Sequence, residues 1–219
     1  MIACICASIN TIKMKNEVIV LQDPCEVKHA KNTVKLLSLV IPNMKVVVGE
    51  LPDDFASLVT YLTHTKKAIY VIYPSQESAC IDDINPAKDA ILLFLDGTWR
   101  KVFKMMSLNP WLNDFPFLHL NLDALSQYKI RKAPRKDSLS TLEAVGLSLK
   151  AIDSQLDINP LYQALNAMVD KQLQFMPEDA RKRYDKWWES IFSCNKSCTE
   201  TKDDQLEPGI YTQVAVNAV

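Results

Sequence analysis

Apolar residues cluster in short, almost uninterrupted runs at 18–21, 45–48, 68–73 and 91–95, and a fifth run, 117–122, alternates. These runs are rich in β-branched and aromatic residues, which predicts short strands buried on both faces rather than half-wet antiparallel ones. The segments between them have helical spacing. Residues 33–41 place Val34, Leu37 and Ile41 on one face, and residues 53–63 do so with Phe55, Leu58, Val59 and Leu62. After the fourth run, Trp99, Val102, Phe103 and Met106 fall at i, i+3, i+4 and i+7, which predicts a helix burying these four side chains. Strand–helix alternation of this kind predicts an α/β fold, a parallel sheet flanked by helices.

From Ser140 the pattern turns helical. Ser140-Thr141-Leu142-Glu143 has capping-box spacing, so Glu143 reads as a capping residue. Two further amphipathic helices are expected over 160–175 and 177–192, whereas 193–219 is polar and weakly patterned. The expected organisation is one domain over 1–192, extra C-terminal helices included, and a loosely ordered tail over 193–219.

The fourth run ends on Asp96-Gly97-Thr98-Trp99. Ligands of open α/β sheets bind beyond the carboxyl ends of the strands, so position alone nominates this tetrapeptide as a site. An Asp-Gly hairpin is the first alternative, but a helix-periodic segment follows instead of a second strand. The second alternative is that Asp96 or Thr98 caps that helix and Trp99 packs. Only Gly49, Gly97, Gly146 and Gly209 exist, so neither GxGxxG nor GxxxxGK[ST] is present. The usual dinucleotide and P-loop cradles are thereby excluded. A nucleotide-like cofactor would have to be gripped by the loops at 74–76, 96–99 and 121–128. His29, His64 and His119 lack metal spacing, and no GxSxG supports a serine nucleophile.

Composition changes this picture in four places. No apolar run approaches the roughly 20 residues of a membrane span. The apolar stretch at 2–9 precedes its basic residues, Lys13 and Lys15, the reverse of a secretory signal, so a cytoplasmic protein without membrane contact is expected. The net charge of −1 conceals a polarised chain: Lys129, Arg131, Lys132, Arg135 and Lys136 stand together without an acid, while Glu200, Asp203, Asp204 and Glu207 crowd the tail. Cys4, Cys6, Cys25, Cys80, Cys194 and Cys198 read as thiols, since neither close pair, Cys4/Cys6 or Cys194/Cys198, has zinc-ribbon spacing.

Several separated motifs then coincide. Leu95 to Trp99 with Lys104, the Leu125–Arg131 stretch, and Ser140-Thr141-Leu142-Glu143-Ala144 follow in order. Upstream stand Cys4 to Ile9 and Lys31-Asn32-Thr33 with Leu36-Leu37. Together, over about residues 4–150, they resemble the DTW-domain family. The resemblance implies a SPOUT-like, trefoil-knotted α/β fold. It also implies transfer of the 3-amino-3-carboxypropyl group from S-adenosyl-L-methionine to N3 of a uridine in tRNA, releasing methylthioadenosine. On this resemblance Asp96 is the catalytic base or the grip on the cofactor's ammonium group. Trp99 walls the cofactor, Thr33 holds its carboxylate, Pro74 and Leu122 flank its adenine, and Tyr128 stands in the third loop. Lys101, Lys104, Lys129, Arg131, Lys132, Arg135 and Lys136 are the expected contacts to tRNA phosphates. Family members usually carry a CxxC pair ahead of the CxC; here the sequence begins three residues before Cys4, and a metal-free protein is expected. No obligatory protein partner is evident. A methyltransferase on the same fold and a non-catalytic RNA-binding protein are the rival expectations.

Overall fold

In β1 (Glu17–Gln22), Val18 and Val20 face one apolar layer while Ile19 and Leu21 face another. Such a strand must lie inside a sheet covered on both sides. The computed structural model describes residues 4–29, 32–121, 138–174, 177–178 and 215–216. The chain continues through α1 (Thr33–Val40), β2 (Lys45–Val48), α2 (Ala56–His64), β3 (Ile69–Ile72), β4 (Ala79–Cys80), α3 (Ile81–Ile84) and β5 (Ile91–Asp96). Then follow α4 (Trp99–Leu108), β6 (Phe117–His119), β7 (Ser138–Leu139), α5 (Thr141–Ile152), α6 (Asn159–Gln174) and β8 (Ala215–Val216). Six strands form one sheet in the order β2-β1-β5-β3-β6-β4, and every pairing in it is parallel.

Two layers cover the sheet. Val18, Val20, Leu92 and Phe94 pack with residues of α1, α5 and α6, whereas Ile19, Leu21, Ile91, Leu93 and Leu95 pack with Phe55, α2 and α4. The connection leaving β1 therefore goes to one face and the connection leaving its neighbour β5 goes to the other. That divergence opens a crevice beyond the carboxyl ends of the two strands, the place where open α/β sheets hold ligands.

The expected strands are all present, with shifts that have physical causes. Only β1 and β5 carry almost wholly buried side chains; β2 is an edge strand with Lys45 and Val48 exposed. Residues 53–55 belong to a 3₁₀ turn, Pro52–Phe55, because the Asp54 carboxylate accepts the amides of Glu50 and Leu51. Phe103, expected inside, is 71% exposed; α4 buries Val102, as expected, and Met105, which was not. The short pair β4–α3 was not foreseen. Of the segment expected as a loose tail, Ala215–Val216 pairs in parallel with Ser138–Leu139. The helix expected over 177–192 lies almost wholly outside the described residues. Among the described residues no helix is long and apolar enough to cross a membrane.

α5 is buried along nearly its whole length, and its start is fixed by the anticipated capping box. Ser140 Oγ accepts the Glu143 amide at 3.3 Å, and Glu143 Oε2 accepts the Ser140 amide at 2.9 Å. Gly146 lets α6 approach: a Cβ there would meet Leu161 Cδ1 at 3.1 Å and Ile158 Cδ1 at 3.9 Å. Gly146→Val adds two methyls beyond that Cβ. It should cost about 2 kcal/mol by overpacking, read as a lower urea midpoint at unchanged m-value. A midpoint at or above wild type would mean that the α5–α6 seam is loose.

Candidate functional site

The parallel register sets Gln22 beside Asp96 at the carboxyl ends of β1 and β5. Asp96 is 3% exposed, and both of its carboxylate oxygens are engaged. Thr141 Oγ1 donates to Oδ1 at 2.5 Å, and Gln22 Nε2 donates to Oδ2 at 2.8 Å. Gln22 Nε2 also lies 3.4 Å from Asn32 Oδ1. Asn32 in turn caps α1, accepting the amides of Val34 and Lys35, and its Nδ2 donates to the Glu26 carbonyl. One carboxylate thus ties the ends of two strands to the starts of α1 and α5. Neither Asp96 nor Thr98 caps α4 through its side chain, which removes the capping alternative for this motif.

Burial pushes the Asp96 carboxyl up from its ordinary range. The Thr141 and Gln22 bonds pull it back, and the nearby Glu26 and Asp23 charges add to the rise. Asp23 and Glu26 are themselves buried, just past the end of β1. Their counter-ion is Lys101, one turn into α4, with Nζ 2.7 Å from Glu26 Oε1 and 3.4 Å from Asp23 Oδ1. The Glu26 bond holds the Lys101 ammonium above its ordinary range. These four side chains, three carboxylates and one ammonium, sum to a net negative charge if all are ionised.

Trp99, half-buried, heads α4 and meets Tyr73 edge-on, ring centroids 6.3 Å apart and planes at 72°. Tyr73 directly follows β3, and burial pushes its phenol above the ordinary range. The next residue, Pro74, begins a loop braced by Ser78, whose Oγ donates to the Ser75 carbonyl at 2.8 Å and lies 3.0 Å from His119 Nδ1 on β6.

The expected site residues therefore divide. Asp96 ends β5, Thr33 and Trp99 begin α1 and α4, the helices that follow β1 and β5, and Pro74 lies two residues past β3. Lys101 points its ammonium at buried carboxylates, whereas Lys104 is exposed and pairs with Glu50 at 2.6 Å. Leu122, Tyr128, Lys129, Arg131, Lys132, Arg135 and Lys136 lie outside the described residues. Gln22, Asp23, Glu26, Tyr73 and Thr141 were not anticipated as site residues. The rule that singled out Asp96, polar residues following a core strand, points equally to Gln22, Asp23 and Glu26. Among the described residues no group of three or more His, Cys, Asp or Glu side chains is arranged to hold a metal ion.

A family model described as the DTW domain matches residues 1–173. The chain is similar to tRNA-uridine aminocarboxypropyltransferase 2 of Macaca fascicularis, 25% identical over 179 residues covering 78% of this chain and 60% of that protein. It is similar to the protein of the same name from Drosophila melanogaster, 26% identical over 167 residues, 73% of this chain and 66% of that one. For the Mus musculus protein of that name the identity is 23% over 179 residues, 78% and 60%. The matches thus span about two thirds or less of the length of these relatives. No solved structure matches the chain.

Proposed function

The chain belongs to the DTW-domain family, and on that premise we propose that it is a transferase modifying a uridine of tRNA. It would move the 3-amino-3-carboxypropyl group of S-adenosyl-L-methionine to N3. The observation that carries this reading is the buried acidic cluster of Asp23, Glu26 and Asp96 at the carboxyl ends of β1 and β5, together with the Tyr73–Trp99 ring contact in the segments that follow β3 and β5. A net-negative, aromatic-walled crevice fits a donor that is a sulfonium and also bears an ammonium group.

S-adenosyl-L-methionine would supply the leaving group: uridine N3 loses its proton to solvent, the N3–carbon bond forms as the carbon–sulfur bond breaks, and the electron pair goes to sulfur, leaving neutral methylthioadenosine. Positioning accounts for most of the catalytic demand, because the sulfonium is already activated. Trp99 and Tyr73 form an apolar wall that decides which carbon faces the nucleophile. Asp96 acts as a fixed negative charge near the donor's cationic end; with both oxygens engaged and 3% exposure it suits that role better than that of a base meeting uridine. Thr33, at the start of α1, would hold the donor's carboxylate; Pro74 and Leu122 would flank its adenine, and Tyr128 belongs to the third loop. Lys104 and the basic run Lys129, Arg131, Lys132, Arg135 and Lys136 take tRNA phosphates. The trefoil-knotted SPOUT-like path, a transferase unit over 1–192 with 193–219 appended, and a cytoplasmic location belong to the same proposal.

The test is incubation of the full chain with S-adenosyl-L-methionine and unmodified tRNA, read by mass spectrometry. Methylthioadenosine together with a uridine carrying the aminocarboxypropyl mass supports the reading. Adenosylhomocysteine and a methylated base would replace it by a methyltransferase. Binding of tRNA with no product from either half of the donor would replace it by a binding protein.

A further inference from the structure

We propose that Phe103 is a stacking platform for an unpaired base next to the target uridine, flanked by Arg100 and Lys104 as phosphate contacts. The inference rests on the tRNA reading above and names the surface that would guide the substrate into the site.

At 71%, Phe103 is more exposed than any other large apolar side chain among the described residues. Leaving an aromatic ring in water forgoes the burial that ordinarily places Phe inside. Helix geometry connects the ring to the site. Trp99 and Phe103 are four residues apart, so they lie on one side of α4, separated by about one turn, ~5.4 Å of rise. Trp99 follows the Asp96 strand end by three residues and heads α4, and Phe103 lies one turn farther along that helix.

The chemistry around the ring favours a polyanion. α4 from Trp99 to Leu108 contains Arg100, Lys101 and Lys104 and no acid. Lys101 is turned inward to Glu26 and Asp23, which leaves Arg100 and Lys104 exposed at positions three before and one after Phe103. Arg100 makes no ion pair with a described residue. Lys104 pairs with Glu50, but with side chains 61% and 29% exposed such a pair is weak and readily exchanges its partner for a phosphate. An aromatic ring bracketed by exposed cations is the arrangement by which proteins hold single-stranded nucleic acid, stacking for the base and cations for the backbone.

The measurement is tRNA affinity of the full chain across a salt series, for wild type and for Phe103→Ala, Phe103→Leu, Phe103→Trp and Arg100→Gln. Melting temperatures are read in parallel. Phe103→Ala should weaken binding about 5- to 100-fold with the salt slope unchanged. Phe103→Leu, which keeps apolar bulk but has no ring, should lose nearly as much, and Phe103→Trp should retain wild-type affinity. Arg100→Gln should lower the salt slope by about 1. Wild-type binding by Phe103→Ala, or by Phe103→Leu while Phe103→Ala is weakened, overturns the platform and leaves the tRNA reading intact. Absence of tRNA binding by the wild-type chain overturns both. Unchanged tRNA affinity with a wild-type assembly lost in Phe103→Ala, seen by sedimentation, overturns the platform in favour of a protein contact.

Discussion

Asp96→Asn should leave the protein as stable at pH 7 as the wild type, or more so, while weakening S-adenosyl-L-methionine binding at least about tenfold and lowering turnover by about a hundredfold or more. Asparagine is nearly isosteric and can keep both contacts, its Oδ1 accepting from Gln22 and its Nδ2 donating to a rotated Thr141 hydroxyl. What disappears is the buried charge. Because the folded-state carboxyl is raised, the folded chain holds the Asp96 proton more tightly than the unfolded chain does. Its contribution therefore favours folding at low pH and is lost as pH rises from about 4 through the raised folded value. The difference in melting temperature, Asn variant minus wild type, should increase over that window. Asp96→Ala behaves differently, because Thr141 and Gln22 each keep a buried donor without an acceptor, at about 1–3 kcal/mol apiece. Calorimetric titration with the donor separates the two roles. Lost turnover at wild-type donor affinity would make Asp96 the base and not the fixed charge.

A residue that costs stability at neutral pH and organises four chain segments shows why the site was only half legible in the sequence. The strands β1 and β5 stood out because 18–21 and 91–95 are apolar without a break, and the end of the second run located Asp96. Its partners were hidden by distance: Gln22 is 74 residues away and Thr141 is 45. Thr141 and Asn32 fell inside motifs noticed for other reasons, a capping box and the Lys31-Asn32-Thr33 element, without the spacing saying that they meet. Tyr73 passed as the last residue of a strand. The β4–α3 segment was invisible because two strand residues and a single helical turn are too short to show any period. Phe103 misled for another reason. The window starting at Trp99 fits an apolar stripe, but the true stripe turns toward Met105 and the buried Asn109, whose Nδ2 donates to the carbonyls of Glu50 and Met105. A polar residue forms part of the inward face, and apolarity alone cannot see it.

Lys101 and Lys104 carry the same charge one turn apart or less, and exchanging each for methionine should produce opposite results. Lys101→Met removes the counter-ion of Asp23 and Glu26, whose side chains are 6% exposed. Stranded buried carboxylates cost about 3–5 kcal/mol; with Lys101 itself 31% exposed, about 3 kcal/mol is expected here. For a chain of this size that lowers the melting temperature by about 10 °C. Lys104→Met breaks a solvent-exposed pair worth about 0–1 kcal/mol, so the melting point should barely move. The salt slope of tRNA binding should instead fall by about 1. Thermal denaturation and salt-dependent binding on the same two variants decide the matter. If Lys101→Met melts like wild type and loses salt slope, its ammonium faces RNA, and the acidic crevice must then offset its charge through the bound donor alone.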